Sequence, residues 1–222
     1  MIALTYNESI LLLTAFAAGT VDIIGFTTLG GVFASAMTGN FALLAYYVAQ
    51  GRSQAALGSI VALMGFAAGC AVGVLQRRGR PQQQALTRVL VGESALLLAF
   101  ALYATALAQV EHGSSNHLQI VLLAVAMGLQ AVIGQTANLS TIVFTTTLTK
   151  MVSTIADSIA SGDTSELKEV RIPSAVVVSY LFGALLAGAL VVRKIDAVVF
   201  LPFIGVGTAF VMHRMACRQL IA

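Results

Sequence analysis

Charged residues are scarce in this sequence: 9% of its 222 residues are Asp, Glu, Lys or Arg, whereas 58% are hydrophobic. A soluble domain of this size cannot enclose so much apolar surface in its core. Lipid is therefore the expected solvent for most of the chain. The composition predicts an integral membrane protein whose mass lies mainly in apolar helices.

Motifs for catalysis and for metal binding are also missing. The sequence has no Walker loop and no nucleophile elbow. His112, His117 and His213 lack a ligand spacing with either cysteine. We therefore expect no metal site, no cofactor and no enzymatic activity. Because Cys70 lies in an apolar run and Cys217 in the basic tail, two free thiols are expected rather than a disulfide.

The net charge of +3 resembles the charge of a nucleic-acid-binding protein. The cations lie beside apolar segments, however, where orienting the protein in a membrane explains them. The expected partner is therefore the lipid bilayer and not a nucleic acid. The first ten residues lack the basic region of a cleaved signal peptide, so the first apolar segment is expected to be retained.

Apolar runs of about 17 to 22 residues fill most of the chain, and a helix of this length crosses about 30 Å of hydrocarbon. The predicted fold is an all-α polytopic membrane helix bundle. Two neighbouring pairs of segments have no polar loop between them, so their junctions, near Gly30 and near Ala137, are expected inside the membrane. The apolar segments are residues 9–29, 32–50, 55–75, 89–109, 118–137, 139–158, 174–192 and 197–213.

The eleven Lys and Arg residues outside the apolar segments indicate how many times the chain crosses the membrane. If all eight segments cross fully, six of these cations fall on one side and five on the other. If each tight pair makes one net crossing, eight fall on one side and three on the other. The positive-inside rule therefore favours six net crossings, with both termini in the cytoplasm. The expected location is the inner (plasma) membrane.

Matched features recur in the same order in the two halves of the chain. With three net crossings in each half, the second half would be inverted relative to the first, as in many secondary transporters. We therefore expect two inverted three-span repeats, residues 9–109 and 118–213, each opening with a broken helix. The matched features are Gly19 to Asp22 with Gly128 to Gln130, Thr38 to Asn40 with Thr145 to Thr147, and Gly65, Gly69 and Gly73 with Ser179, Gly183 and Ala187.

Residues 29–40 are rich in glycine, and each glycine inside a helix costs about 1 kcal/mol. We expect the first helix to break here and a second helix to resume at Phe41. Its cap would be Ser35, Thr38 or Asn40. Its free backbone N–H groups would point into the membrane interior and attract anions. In a second interpretation, these small residues only let neighbouring helices pack closely.

Asp22, Lys150 and Glu93 are ionisable residues inside apolar segments, where each needs a partner, a proton or water. Asp22 and Lys150 form an ion pair that clamps the two halves in one interpretation. In the other, Asp22 is a coupling group that exchanges a proton or sodium, and Lys150 is its charge partner or a substrate contact. Glu93 is a second coupling candidate, or a carboxylate that lies at the membrane interface.

Neutral residues raise similar alternatives. Gln130 either contributes to a binding site or fastens two helices. The face formed by Gly65, Gly69 and Gly73 is expected to be a helix-packing seam, and it is also the predicted contact surface of a homo-oligomer.

The stretch from Gly19 to Asn40, GTVDIIGFTTLGGVFASAMTGN, resembles the signature of the YoaK-like family of membrane proteins. Residues 128–130 and 145–149 are similar to the second signature of that family, and Glu93 stands where its members tend to carry a glutamate. The sequence departs from the pattern at Thr146, where the family favours glycine. The resemblance implies six membrane spans and no established function.

These observations lead to a functional hypothesis. We expect a secondary transporter that moves a small polar, possibly anionic solute by alternating access, coupled to protons or sodium through Asp22 and Glu93. The alternatives are a structural or assembly subunit without transport activity, and a channel with a continuous polar pore. The expected substrate contacts are Asp22, Ser35, Thr38, Gly39 and Asn40 from the first half, and Gln130, Thr145, Thr146, Thr147 and Lys150 from the second.

Overall fold

The computed structural model describes residues 6–108, 117–136, 144–162 and 167–219, and every regular element in these ranges is helical. The all-α class predicted from the sequence is therefore confirmed. The α-helices are α1 Tyr6–Thr28, α2 Met37–Ala49, α3 Ser53–Arg77, α4 Gln82–Ala108, α5 His117–Thr136, α6 Phe144–Ser161, α7 Leu167–Val192 and α8 Leu201–Gln219, and a short 3₁₀ helix, Asp196–Phe200, precedes α8.

Several of these helices are long and apolar enough to cross a membrane. α5 contributes a shorter apolar stretch, His117–Val132. Length and composition thus support the predicted polytopic bundle. The five long candidate spans are Glu8–Thr28, Ser53–Arg77, Gln82–Ala106, Leu167–Val192 and Asp196–Arg218.

α2 and α6 differ from the other α-helices. α2 has 13 residues, which corresponds to about 20 Å of helix and is shorter than the hydrocarbon core of a bilayer. α6 carries polar residues over much of its surface, including Lys150 and Asp157, and it is not among the apolar spans. These two helices are the second members of the tight pairs predicted from the sequence.

The helices of the first half pack mainly against helices of the second half. α1 packs against α7 and α8, and α5 packs against α3 and α4. α4 and α8 also contact each other, whereas α2 lies on α3 and α6 lies on α7. Buried apolar side chains of α1, α4 and α5 fill the centre of the bundle, and they include Ala17, Val21, Leu97, Phe100 and Leu123.

Side-chain contacts define the relative directions of two helix pairs. Arg171 at the start of α7 forms an ion pair of 2.7 Å with Glu8 at the start of α1, so α1 and α7 run parallel. His213 of α8 contacts Thr87 and Gln83 near the start of α4, with a distance of 2.7 Å from its Nε2 to the Thr87 hydroxyl. Because His213 belongs to the last turns of α8, α4 and α8 run antiparallel.

Glycine brings α1 and α7 into backbone contact. A Cβ atom on Gly19 would collide with the carbonyl oxygen of Tyr180, and a Cβ atom on Gly183 would collide with that of Phe16. The Ser179 hydroxyl donates a hydrogen bond of 2.7 Å to the carbonyl oxygen of Leu12 in the same contact. Small residues thus let polar groups of one helix reach the backbone of the other.

A second glycine contact joins α3 and α5. Gly65, Gly69 and Gly73 are buried against α5, and a Cβ atom on Gly69 would collide with the carbonyl oxygen of Val125. Gly128 approaches the backbone of α3 equally closely. The predicted packing seam is therefore confirmed, but it joins two helices of the same chain. Because α5 covers these three glycines, they cannot also form the predicted contact of a homo-oligomer in this structure. The oligomeric state itself stays a prediction.

Candidate functional site

The first helix breaks where its glycines predict. α1 ends at Thr28, and the chain then passes through Gly30 and Gly31, whose φ angles are +87° and +82°. Side chains other than that of glycine rarely allow this left-handed conformation. α2 begins only at Met37, so eight residues separate the two helices. The predicted break in the first half is confirmed, but the second helix begins at Met37, four residues before the predicted Phe41.

The connecting segment, residues 29–36, folds back along α1. The carbonyl oxygen of Val32 lies 2.7 Å from the position of a Cβ atom on Gly25. The backbone N–H groups of Ala34 and Ser35 reach the side chain of Asp22, which lies about one turn earlier in α1. As the residue numbers of the segment rise, those of its α1 neighbours fall, so the segment runs antiparallel to the end of α1.

α2 then resumes the direction of α1. Asn40 in the first turn of α2 contacts Phe33, in the middle of the connecting segment. Tyr47, two turns later, brings its hydroxyl oxygen to 2.8 Å from the position of a Cβ atom on Gly31, at the start of that segment. α2 therefore runs antiparallel to the connecting segment and parallel to α1.

The carboxylate of Asp22 holds this break together. Its side chain is 1% exposed. Oδ1 accepts hydrogen bonds from the N–H groups of Ala34 at 3.0 Å and Ser35 at 2.8 Å. Oδ2 accepts hydrogen bonds from the hydroxyl groups of Ser35 at 2.5 Å and Tyr180 at 2.8 Å. Four donors thus satisfy the oxygens of a carboxyl group that would be costly to bury without partners.

Tyr180 is a member of this network that the sequence hypothesis omitted. It lies on α7 and connects the break in the first half to a helix of the second half. A signal was available, because Ser179 and Tyr180 are polar neighbours inside a long apolar segment, and a phenol at that depth needs a hydrogen-bond partner. The hypothesis used only Ser179, as a packing position.

The predicted capping of α2 is wrong. The cap residue is Ala36, and no side chain forms a capping hydrogen bond. Ser35 instead bonds to Asp22. Asn40 accepts a hydrogen bond from the N–H group of Phe33 at 2.9 Å and donates one to its carbonyl oxygen at 2.6 Å. Ser35 and Asn40 thus stabilise the connecting segment and do not cap the first turn of α2.

Gly39 and Thr38 lie at the edge of the network. A Cβ atom on Gly39 would come within 2.9 Å of the ring of Phe33, which stacks on Phe26 with a centroid distance of 5.1 Å. Thr38 is exposed, whereas Asp22, Ser35 and Asn40 are buried. The structure thus brings the predicted residues of the first half together, and Thr38 has the most accessible side chain among them.

The predicted residues of α6 do not join this network. Thr145 and Thr146 are exposed and Thr147 is half-buried, on a helix that packs against α7. The predicted pair between Asp22 and Lys150 is wrong, because the Lys150 ammonium lies 4.0 Å from Glu169 of α7 with both side chains about two-thirds exposed or more. The predicted break between α5 and α6 falls on residues 137–143, outside the described residues.

Gln130 serves as a fastener in this structure. Its side chain is buried, and its amide nitrogen donates a hydrogen bond of 3.0 Å to the carbonyl oxygen of Thr14. The bond joins α5 to α1.

Glu93 lies in the interior of the helix bundle, away from solvent, and its depth in the membrane stays a prediction. Its side chain is fully buried on α4. Neither carboxylate oxygen has a hydrogen-bond partner among the residues that the structure describes. Two buried carboxylates with opposite surroundings are therefore present. No group of three or more His, Cys, Asp or Glu side chains in the described part of the chain is arranged to hold a metal ion.

Comparison with known proteins places the chain in a family. Residues 10–212 match the family model described as "Protein of unknown function (DUF1275)". The chain belongs to this family. It is also 28% identical over 195 residues to "UPF0700 transmembrane protein YoaK" of Bacillus subtilis (strain 168), a similarity that covers 84% of each chain. No solved structure matches it. The membrane character and the resemblance inferred from the sequence are thereby confirmed, and this family description assigns no activity.

Proposed function

We propose that this protein is a secondary transporter that moves a small polar solute by alternating access. One observation carries the proposal: the break between α1 and α2 is held by the carboxylate of Asp22 and tied to the opposite half of the chain through Tyr180. Broken helices that meet at the interface of two halves form the substrate sites of many secondary transporters. Irregular backbone at membrane depth is tolerated only inside protein or beside a water-filled cavity.

Helix lengths support a break near the middle of the bilayer. Asp22 follows Glu8 by 14 residues, or about 21 Å of helix, and the 13 residues of α2 add about 20 Å beyond the break. The sum of about 41 Å matches a whole bilayer with its headgroups. Arg52 at the end of this path lies over the ring of Tyr47, 5.2 Å from its centroid, a pairing suited to a membrane interface.

Helix directions support six net crossings. Eight alternating crossings would make α4 and α8 parallel, whereas the contacts of His213 make them antiparallel. One net crossing for each tight pair gives the observed direction. Under the positive-inside rule, both termini then lie in the cytoplasm, and the protein resides in the inner (plasma) membrane.

Helix packing supports two inverted repeats, residues 9–109 and 118–213. Exchanging α1 to α4 with α5 to α8 converts the α1–α7 contact into the α5–α3 contact and the α1–α8 contact into the α5–α4 contact. The glycine contacts correspond in the same way, with Gly19 and Gly183 matching Gly128 and Gly69. α3 reverses the direction of α2, and α5 runs parallel to α3, so α5 opposes α1.

The surroundings of Asp22 restrict the solute class. A bare helix N-terminus favours anions, but the carboxyl group of Asp22 already lies against the residues that precede α2, where it would repel a second anion. A neutral or cationic polar solute therefore suits this break better than an anionic one. Asp22, Ser35 and Asn40 shape the site, and Thr38 and Gly39 are its proposed solute contacts in the first half. Thr145, Thr146, Thr147 and Lys150 are the proposed contacts of the second half, reached when α6 moves.

Counterflow in proteoliposomes tests this function across a panel of small polar solutes. A transporter is expected to show saturable uptake that is accelerated by solute inside the vesicle. Gly39→Leu should abolish this uptake, because the new side chain would displace the ring of Phe33 at the break. Gly188→Ala is the matched control, since a Cβ atom there comes no closer than 4.0 Å to Ile23. Uptake that neither saturates nor exchanges would indicate a channel, and no uptake of any solute would favour a structural subunit.

A further inference from the structure

The two buried carboxylates differ in the partners that surround them. Asp22 receives four hydrogen bonds, two of them from backbone N–H groups. Glu93 is as deeply buried, but its two oxygens have no hydrogen-bond partner in the described part of the chain. Both residues belong to helices that are apolar enough to cross the membrane.

We propose that Glu93 is protonated in this conformation and carries the coupling proton, whereas Asp22 stays ionised as a fixed part of the break. The consequence for coupling rests on the proposed transport function. The protonation of each carboxylate does not, and it can be measured without knowing the solute.

Ionisation of the Glu93 carboxyl group would be energetically costly in these surroundings. A carboxylate that is removed from water without a partner takes up a proton, because the desolvation of the charged form is otherwise uncompensated. The elements that pack against α4 are α3, α5, α8 and the 3₁₀ helix. Their titratable or charged residues in the described ranges are Cys70 and Arg77 on α3, His117 on α5, Asp196 on the 3₁₀ helix, and His213, Arg214, Cys217 and Arg218 on α8, and α4 itself carries Arg88 and Tyr103 in addition to Glu93.

None of these groups compensates Glu93. No cation among them forms a hydrogen bond or an ion pair with its carboxylate oxygens. His213 bonds to Thr87 and Gln83, and Thr87 precedes Glu93 by about 9 Å of helix. A proton on the carboxyl group itself is therefore the simplest compensation.

Asp22 has the opposite environment. An ionised carboxylate only accepts hydrogen bonds, and all four of its contacts are with donors. The two N–H groups at Oδ1 belong to the backbone and cannot turn away. A sodium ion at this oxygen would face the same two donors. Protonation or ion exchange at Oδ1 would thus require the connecting segment to move, and protonation at Oδ2 would require the hydroxyl group of Ser35 or Tyr180 to turn from donor to acceptor.

The position of Glu93 suits a coupling role. α4 belongs to the first half, whereas α5 and α8, which pack against it, belong to the second. A relative movement of the halves would open these contacts and admit water to Glu93. The proton can then leave in one conformation and be replaced in another.

Labelling with dicyclohexylcarbodiimide tests the proposal directly. This apolar reagent reacts with protonated carboxyl groups in water-poor surroundings and leaves a stable N-acylurea that mass spectrometry can locate. In proteoliposomes at neutral pH, Glu93 should be labelled at least about tenfold more than Asp22, the factor that about 1.4 kcal/mol of difference in protonation free energy would give. Labelling should fall as the pH is raised.

Variants make the outcome decisive. Glu93→Gln should remove the adduct, whereas Asp157→Asn, which changes an exposed carboxylate on α6, should leave it unchanged. An adduct on Asp22 in place of Glu93, or no adduct on Glu93 in folded protein, would overturn the proposal. If Glu93 forms the adduct but the protein transports no solute of the panel, the protonation of Glu93 would be supported. Only the transport function would then be refuted.

Discussion

The hydroxyl group of Tyr180 donates a hydrogen bond of 2.8 Å to Oδ2 of Asp22, across 158 positions of sequence. It joins α7 to the break between α1 and α2, at the point where the two halves of the chain meet. The same carboxylate also holds the connecting segment through Ala34 and Ser35. Any rearrangement that separates the halves at this point must therefore break or replace a hydrogen bond to a buried charge.

Tyr180→Phe tests the strength of this connection. The change removes one donor and leaves Asp22 with three, so we expect the free energy of unfolding in detergent to fall by about 1.5 to 3 kcal/mol. Thermal unfolding followed by a thiol-reactive dye measures the effect. Tyr46→Phe is the matched control, because Tyr46 is 56% exposed. Equal melting temperatures for the two variants would show that the Tyr180 hydrogen bond contributes nothing to stability.

Asp22→Ala tests the role of the carboxylate in holding the break. It leaves two buried backbone N–H groups and two hydroxyl groups without their acceptor, and each such group costs about 1 to 3 kcal/mol. We expect little monodisperse protein in detergent extracts, measured by fluorescence-detected size exclusion. Asp157→Ala removes an exposed carboxylate and should behave as the parent. Normal yield of Asp22→Ala would show that the break does not depend on this side chain.

The break itself was predictable because it depends on local backbone preference. Glycine allows left-handed φ angles that other residues rarely adopt, so the adjacent Gly30 and Gly31 in an apolar segment indicated the break. The small-residue spacing of Gly65, Gly69 and Gly73 likewise predicted a packing seam. This spacing could not identify α5 as the partner helix, because it describes the packing surface of α3 and carries no information on the helix that covers it.

Pairings between distant residues were not predictable in the same way. A membrane helix is apolar on all sides, so its sequence shows no face from which its rotation can be read. Whether Asp22 faces Tyr180 or Lys150 depends on that rotation. The burial of Glu93 could not be predicted for the same reason. Its position near the start of an apolar segment suggested the membrane interface, whereas the packing of α4 against α5 and α8 buries it.

Cysteine labelling tests the single net crossing of α1 and α2. In a background without Cys70 and Cys217, single cysteines would replace Asn7, Gln50 and Gln84. If α2 continues in the direction of α1, the cysteines at positions 7 and 84 are labelled from one side of the membrane, the cytoplasmic side, and the cysteine at position 50 from the other. An impermeant maleimide applied to whole cells and to inverted vesicles separates the sides. Labelling of positions 7 and 50 from the same side would contradict the re-entrant break.

The last prediction compares the two glycine contacts that the proposed repeat relates. A Cβ atom on Gly19 would collide with a carbonyl oxygen of α7, and one on Gly128 would collide with a carbonyl oxygen of α3. Because a backbone atom cannot move aside as a side chain can, Gly19→Ala and Gly128→Ala should each lower the free energy of unfolding by about 3 kcal/mol, the upper end of the usual cost of overpacking.

Gly188→Ala is again the matched control, since the added methyl group meets only ordinary contact distances and removes the cost of a helical glycine, about 1 kcal/mol. Thermal unfolding in detergent should therefore place Gly188→Ala at or above the parent and the other two variants well below it, by similar amounts. Similar losses are the informative result, because they are expected only if both contacts are equally close. A large loss for Gly19→Ala with none for Gly128→Ala would mean that the α3–α5 contact is looser than its counterpart, and the correspondence between the halves would fail at its closest point.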